Sequence, residues 1–310
     1  MPLVGSKAMF QEAMAGRYAV AAFNANSFEH IQAIIETAQE ERSPVIVAFV
    51  ESVIQYFGLR ICAEITKVAA DMVDVPVVMH LDHGPSYEWN TRCVRAGFTS
   101  VMFDGSRLPF EENVRATAQI VAMAHACGIP VEGELGRMFS RGDQVADDQV
   151  RGGMTDPKVA RTFLEQSGAD SLAIACGSIH GLHTQSTGLD LPRIAAIRDA
   201  THAPLVLHGS SGVTNDALVA GIERGIAKIN VGTYIGQGFI AGIRKGIQAE
   251  PDATDPRPWL TAARDEMKER CREKMRLFKS SGRVPGSGRI ANFRDAWAGL
   301  AATARGDLEE

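Results

Sequence analysis

The chain has 310 residues, of which 45% are hydrophobic and 22% charged, and its formal net charge is −5. This composition predicts a folded protein with a sizeable core and argues against a disordered chain or a basic surface for nucleic acid or acidic membranes. The longest apolar run, around residues 45–50, is far shorter than the roughly 18 residues of a membrane helix, and the N-terminus lacks a signal peptide's apolar core. We therefore expect a cytoplasmic globular protein.

Eight short β-branched runs alternate along the chain with longer segments of helical period. This alternation predicts an α/β fold, a (β/α)8 TIM barrel, with a doubly wound open sheet as the structural alternative. Runs such as VIVAFV and VVMHL are almost continuously apolar, as in parallel strands covered on both faces. The predicted strands are 19–23, 44–50, 77–82, 100–103, 130–135, 170–176, 204–208 and 227–231.

Several predicted helices have recognisable start and stop residues. Ser27 precedes an apolar stripe within residues 31–38, Asp156 stands before a proline, and Thr214 precedes an apolar-periodic segment that Gly225 closes. Beyond residue 236 we expect helix to about residue 279, with a break at PDATDPRP before a long charged helix. Residues 1–310 are thus expected to form a single barrel domain whose C-terminal helical extension, about 236–310, packs between subunits.

Five cysteines are odd in number, widely spaced and free of any CxxC pair. This pattern argues against both a disulfide framework and a thiolate zinc site, and predicts small buried hydrophobic residues. The five are Cys62, Cys93, Cys127, Cys176 and Cys271.

Polar residues at the strand ends favour the barrel over the open sheet. An open sheet concentrates function at one switch point, whereas a barrel collects polar side chains from many strands at its C-terminal rim, with glycine where the backbone approaches a ligand. Six of the eight predicted strands end in, or lead into, such residues. They are Asp82 with His83, Asp104, Glu134, His180, His208 and Asn230.

Three of these rim residues are histidines, each followed by glycine. A closed barrel would bring His83, His180 and His208 together, and three neutral imidazoles with an open fourth position form a catalytic zinc arrangement. Asp82 adjoins one of them, so it acts either as a general acid or base or as a group that orients an imidazole. Asp104 and Glu134 would orient ligands or hold a second metal position. His80 is interpreted as a core residue with a hydrogen-bond partner.

Two glycine-containing loops follow predicted strands seven and eight. Barrels commonly bind phosphate between these two loops through backbone N–H groups and hydroxyls. The loops are Gly209-Ser210-Ser211-Gly212 and Asn230-Val231-Gly232-Thr233. Zinc, a carboxylate and phosphate together indicate carbon chemistry on a sugar phosphate. The alternatives are a Schiff-base aldolase that uses Lys228, which a buried ion pair would equally explain, and a zinc hydrolase.

Seven motifs, spread nearly end to end, resemble those of the class II, metal-dependent ketose-bisphosphate aldolases. They are HLDHG at 80–84, VMFDGSRLPFEENV at 101–114, VEGELG at 131–136, GSIHG at 177–181, LVLHGSSG at 205–212, KINVGT at 228–233 and DPRPWLTAARDEMKERCREKMRLF at 255–278. The resemblance implies a lyase of carbohydrate metabolism and glycolysis that cleaves fructose 1,6-bisphosphate reversibly into dihydroxyacetone phosphate and an aldehyde. Tagatose 1,6-bisphosphate or another ketose phosphate is the alternative substrate, and a non-catalytic sugar-phosphate-binding barrel is the alternative function.

The resemblance also implies roles for individual residues. His83, His180 and His208 would bind zinc or another divalent metal, and Asp82 would exchange the proton of the substrate C4 hydroxyl. Arg257 would reach a neighbouring subunit's site in a homodimer or homotetramer and hold the far phosphate. The first phosphate, with a monovalent cation nearby, would lie at Gly181, Gly209, Ser210, Ser211, Asn230, Gly232 and Thr233.

The chain departs from the family pattern at four positions. Gly142 stands where the family has a glutamate in a mobile loop, and Asp143 is the candidate to replace it. Gly232 replaces an aspartate, Val50 replaces a serine, and Tyr234 follows Thr233. We expect these changes to affect discrimination between C4 epimers.

Overall fold

The computed structural model describes residues 3–137, 139–140, 152–181 and 184–286. Eight parallel strands close into a barrel in the order β1-β2-β3-β4-β5-β7-β9-β10, and β10 pairs with β1. They are β1 Val20–Asn24, β2 Val45–Val50, β3 Val77–Gly84, β4 Ser100–Phe103, β5 Val131–Leu135, β7 Ser171–Ile174, β9 Leu205–Leu207 and β10 Ile226–Val231. A short pair, β6 Phe139–Ser140 and β8 Ile179–His180, lies outside the barrel sheet. All eight predicted strands are therefore confirmed, and the open sheet is excluded.

Eleven helices lie within the described residues. They are α1 Ser6–Gly16, α2 Phe28–Glu41, α3 Glu51–Phe57, α4 Leu59–Asp71, α5 Tyr87–Ala96, α6 Phe110–His125, α7 Pro157–Ser167, α8 Leu191–Thr201, α9 Asn215–Glu223, α10 Thr233–Ala249 and α11 Arg257–Leu277. The predicted caps are present, because Ser27, Asp156 and Thr214 each accept a hydrogen bond from a first-turn N–H group. Among these helices, none combines the length and the apolar character needed to cross a bilayer.

The strands are buried on both faces, which explains their continuous apolar character. Side chains that point outward from the barrel pack beneath the helices, while α1 lies against an apolar cluster that includes Val20, Ile46, Val78 and Ala227. The next inward side chains on two of these strands are polar. His80 lies two residues after Val78 on β3, and Lys228 directly follows Ala227 on β10, where the strand shifts register. The barrel interior is thus apolar near α1 and polar toward the C-terminal rim.

The two C-terminal helices that the sequence predicted, with a break between them, pack on the barrel as an antiparallel pair. Glycines recur every four residues along α10, at Gly238, Gly242 and Gly246, and α11 comes so close that a Cβ on Gly242 would lie 2.4 Å from the Ala262 carbonyl oxygen. On its other side α11 contacts α2, where Lys268 bridges Glu36 and Glu40 of that helix. Within the chain, α11 is therefore a packed part of the domain.

The cysteines largely follow the prediction. Four are buried, and burial raises the pKa of the thiols. Cys127 is exposed at the end of α6, so its predicted burial was wrong. The helix stops at His125, and a tight turn through Gly128 carries the chain along the surface. No cysteine among the described residues forms a disulfide.

Candidate metal and phosphate site

The end of strand β3 brings two consecutive polar residues to the same place. In a regular strand Asp82 and His83 would point to opposite faces. His83 instead has a φ of +49°, and the pairing with β4 shifts register between Leu81 and Gly84. A Cβ on Gly84 would lie 2.2 Å from the Met102 carbonyl oxygen, so only glycine allows this approach. The irregular strand end turns both functional side chains into the rim, at the cost of a backbone conformation unusual for histidine.

Two of the three predicted imidazoles face each other directly. Nε2 of His83 lies 3.0 Å from Nδ1 of His208, although 125 residues separate them. Two nitrogens bound at about 2.0–2.1 Å to one tetrahedral ion are separated by roughly 3.3 Å, so this spacing suits a shared metal. Asp82, His83 and His208 offer ligand atoms that all lie within 4.8 Å of one another.

The outer nitrogens of both imidazoles contact carboxylates. Nδ1 of His83 lies 2.9 Å from Asp104, and Nε2 of His208 lies 3.0 Å from Glu132. A carboxylate accepts a hydrogen bond, so each contact fixes the proton on the outer nitrogen and leaves the inner nitrogen as an electron-pair donor. Carboxylates commonly orient metal-binding histidines in this way.

Glu134 places another buried carboxyl group beside His83. Its Oε2 atom is buried, has no hydrogen-bond partner and lies 3.7 Å from Nδ1 of His83. Burial raises the pKa of Glu134 to about 8, because a buried carboxylate without a cation is costly. His83, Asp104 and Glu134 form a second group with metal-ligand spacing. A divalent cation bound at the rim would compensate the carboxylates here, so the residues present fit such a group.

Asp82 is held as an ionised acceptor. Its side chain is buried, and its two oxygens accept hydrogen bonds from the amides of Asn24, at 2.8 Å, and Asn230, at 2.9 Å. Burial alone would raise the pKa of Asp82, but electrostatic interactions with its neighbours, first of all His83, outweigh it and hold this pKa below its usual range. The carboxylate is therefore oriented and ionised.

A buried polar network lies beneath the two histidines. Lys228 donates to Glu132, at 2.7 Å, and lies 3.2 Å from Nε2 of His80. Because lysine only donates, Nε2 of His80 accepts, and Nδ1 of His80 donates to Ser100 at 2.9 Å. Burial and the charge of Lys228 lower the pKa of His80 to about 3. His80 is therefore a core residue with hydrogen-bond partners, as predicted. Lys228 forms a buried ion pair with Glu132, which was the alternative to a role as Schiff-base lysine.

A cavity of about 190 Å³ opens over Asp82 and His83. It contains every predicted phosphate residue except Arg257. The lining residues are Asn24, Val50, Asp82, His83, Gly181, Gly209, Ser210, Ser211, Asn230, Gly232 and Thr233. Lys228 is absent from this lining, which disfavours it as a nucleophile.

Two loops, which we call the rim loops, form one wall of the cavity: residues 209–212 and 230–233. Gly209 adopts a φ of +67°, and the Ser210 hydroxyl donates to the Asn230 carbonyl, so the loops are tied together. Helix α10 begins at Thr233, where Gly232 offers no side chain to cap the first turn, and the Tyr234 N–H of that turn donates to Oγ of Ser211 in the other rim loop. Uncapped helix starts with hydroxyls nearby bind anions such as phosphate.

The remaining predicted residues lie elsewhere. Arg257, whose side chain is 85% exposed, pairs with Asp255 and borders a separate surface depression. The backbone of His180 pairs with Ser140 in the short β6–β8 sheet, next to Gly181 of the cavity. Gly142 and Asp143 lie outside the described residues.

Two site residues were missed from the sequence. Glu132 precedes Glu134 by two positions on β5 and therefore points the same way, which was an available signal. Asn24 ends the first strand, as the predicted rim residues end theirs, but a single asparagine carries little information by itself.

Comparison with known proteins gives a consistent result. The family described as "Fructose-bisphosphate aldolase class-II" matches residues 4–283. A fructose-bisphosphate aldolase of Geobacillus stearothermophilus is 42% identical over 287 residues, covering 92% of this chain and 99% of that protein. One of Thermus caldophilus is 40% identical over 305 residues, covering 91% and 100%. The crystal structure of the YdjI aldolase from Escherichia coli K12 superposes with a TM-score of 0.82 at 34% identity, covering 91% of this chain and 100% of that one.

Proposed function

The chain belongs to the class II fructose-bisphosphate aldolase family and is a lyase, and we propose that the rim cavity performs reversible aldol cleavage of fructose 1,6-bisphosphate. The observation that carries this assignment is the pair of facing imidazoles, 3.0 Å apart, beside an ionised aspartate at the cavity floor. The products would be dihydroxyacetone phosphate and an aldehyde.

His83 and His208 would hold a zinc ion together with His180, whose role comes from the family resemblance. Zinc bound there supplies a Lewis acid that withdraws electrons from the ketose carbonyl. Asp104 and Glu132 would orient the two imidazoles, and Glu134 adds a carboxyl group that a bound cation would hold in its ionised form.

Asp82 would be the general base of the cleavage. It accepts the proton of the C4 hydroxyl; the C4–O bond becomes the aldehyde carbonyl while the C3–C4 bond breaks, and the electron pair passes to the C2–C3 fragment. A proton is then returned to C3, a step for which Asp143 remains the candidate. The Asn24 and Asn230 amides would keep Asp82 directed at the C4 hydroxyl during its proton transfer.

The rim loops would bind the phosphate next to C1 of the substrate. Backbone N–H groups at the start of α10 and the hydroxyls of Ser211 and Thr233 are donors suited to a phosphate dianion. Arg257 would bind the far phosphate in a neighbouring subunit of a homo-oligomer, consistent with its exposed guanidinium.

Cleavage of fructose and tagatose 1,6-bisphosphate by purified, zinc-reconstituted protein tests this proposal. We expect faster cleavage of the fructose ester, loss of activity with EDTA and recovery on adding zinc. His208→Ala should lose zinc, whereas His125→Ala, a histidine on α6 far from the rim, should keep both zinc and activity. Activity that resists EDTA but is trapped by borohydride would instead favour Lys228. Phosphate-ester binding without triose production would favour a sensor.

Asp82→Ala separates proton transfer from metal binding. The variant should retain zinc but lose about 10²-fold or more in cleavage rate, as expected when a proton-transfer group is removed. Undiminished turnover would exclude Asp82 from the mechanism.

A further inference from the structure

Tyr234 connects the rim loops to the long helix α11. Its backbone N–H donates to Oγ of Ser211 at 3.2 Å, and its carbonyl accepts from Arg270 at 3.1 Å. Its hydroxyl donates to Glu273 at 2.5 Å. One residue, directly after Thr233, thus joins both rim loops to two positions of α11.

Two cations of α11 lie against the Tyr234 ring. The Arg270 guanidinium carbon is 4.7 Å and the Lys274 nitrogen 4.6 Å from the ring centroid. Lys274 is buried and donates to Oδ1 of Asn215, at 3.1 Å, in the first turn of α9. That helix follows the first rim loop, so Lys274 fixes the far end of this loop as well. Contacts between a desolvated cation and an aromatic ring are stronger than exposed ones.

This arrangement determines what the Ser211 hydroxyl can do. Its oxygen accepts from the Tyr234 N–H group, and within the described part of the chain no acceptor receives its proton. Ser211 lines the cavity, so this proton is directed to whatever the cavity binds. A phosphate oxygen is the acceptor that the neighbouring helix start favours.

We propose that Tyr234, Arg270 and Lys274 form a positioning unit that holds Ser211 as a donor for the phosphate next to C1 and places two positive charges behind that phosphate. The inference rests on the proposed function, since it concerns the same site. It also gives a role to a residue, Tyr234, that stands at one of the departures from the family pattern. These side chains touch the loops and not the reacting carbons, so they should affect binding more than turnover.

The test measures inorganic phosphate affinity by calorimetry together with KM and kcat for fructose 1,6-bisphosphate. Lys274→Met and Tyr234→Leu each remove one connection and fill the space with apolar atoms. We expect the phosphate Kd and KM to rise about tenfold, as for a lost charge-assisted hydrogen bond, with kcat and zinc content nearly unchanged. Tyr234→Phe keeps the ring and backbone and should change both constants by less than about threefold, since Glu273 is half exposed.

Lys245→Met is the matched control, because Lys245 pairs with Glu266 between the same two helices but lies three turns further along α10. It should leave both constants unchanged. If Lys274→Met and Tyr234→Leu lower the melting temperature yet bind phosphate as the wild type does, the unit is packing alone and the inference fails. If only one of these two variants folds, its phosphate affinity tests the inference. If neither folds, the phosphate affinity of Arg270→Met tests it. Wild-type protein that binds phosphate but cleaves no ketose would refute the proposed function only, and no phosphate binding by the wild type would refute this inference.

Discussion

Replacing Glu132 by glutamine should lower both the stability of the protein and its zinc affinity, although Glu132 does not line the cavity. Glu132 accepts from Lys228 through one oxygen and from His208 through the other, and all three side chains are buried. A glutamine has one acceptor and one donor end. If the glutamine oxygen accepts from Lys228, the glutamine NH2 group faces the N–H of His208. If the side chain is flipped, the NH2 group faces the Lys228 ammonium instead. Either way two donors oppose each other, and the lysine charge loses its counter-charge.

The magnitude follows from burial. Removing one partner of a buried ion pair typically costs 3–5 kcal/mol, because the other charge is left uncompensated. Loss of a carboxylate that orients a metal-binding histidine typically weakens metal binding 10- to 100-fold. We therefore expect Glu132→Gln to lower the free energy of unfolding of the metal-free protein by about 3 kcal/mol and the zinc affinity by at least about tenfold.

The assay combines urea denaturation of the metal-free protein with zinc affinity measured by chelator competition. Lys228→Met provides the second edge of a double-mutant cycle. In Glu132→Gln/Lys228→Met no unpaired ammonium remains, so part of the stability should return, while zinc affinity should stay low because His208 still lacks its carboxylate. If Glu132→Gln costs less than about 1 kcal/mol and zinc binds as tightly as in the wild type, the buried network neither stabilises the barrel nor orients His208.

Three further predictions concern packing and charge. Gly242→Ala should lower the free energy of unfolding by about 1–3 kcal/mol in denaturation, since its Cβ would meet the backbone of α11. Gly236→Ala, with open space around its Cβ, should be neutral or stabilising. Equal effects of the two substitutions would contradict the packing argument. Gly84→Ala should displace His83 and weaken zinc binding at least about tenfold by chelator competition, as for loss of ligand orientation; unchanged affinity would show that the strand end tolerates the shift. In acid, Asp170 should lose a stabilising role: burial raises its pKa, but His125 and the Val131 N–H outweigh this and lower it. The contribution of the Asp170 carboxylate to the free energy of unfolding is fully present above its unfolded pKa of about 3.9 and is lost as the pH falls toward its lower folded pKa. The free energy of unfolding of Asp170→Asn, measured by denaturation, should therefore depend less on pH below about 4 than that of the wild type.

The fold was largely accessible from the sequence because its signals are local. Parallel strands such as 45–50 are apolar on both faces, and six of the eight predicted strands carry a polar residue at or just after their ends. Barrel closure then brings those ends together, so the grouping of Asp82, His83 and Asn230 around one cavity could be anticipated from strand positions alone.

The finer geometry depends on register and backbone conformation, which the sequence does not display. Asp82 and His83 share one side only because His83 adopts a positive φ, and histidine gives no hint of this. Likewise, Glu132 and His208 are 76 residues apart in the sequence, and their contact depends on the positions of β5 and β9 on either side of β7. Gly142 and Asp143 lie outside the described residues, and the role of Asp143 is a prediction.

The side-chain amides of Asn24, on the first strand of the barrel, and Asn230, on the last, both donate hydrogen bonds to the Asp82 carboxylate. During synthesis, a chain that has emerged only as far as His208, directly after β9, already carries both facing histidines, yet the Asp82 carboxylate is hydrogen-bonded by Asn24 alone. Pairing of β1 with β10 is therefore the event that completes the proposed site. Activity should consequently appear late in refolding, after helical signal and metal uptake have developed.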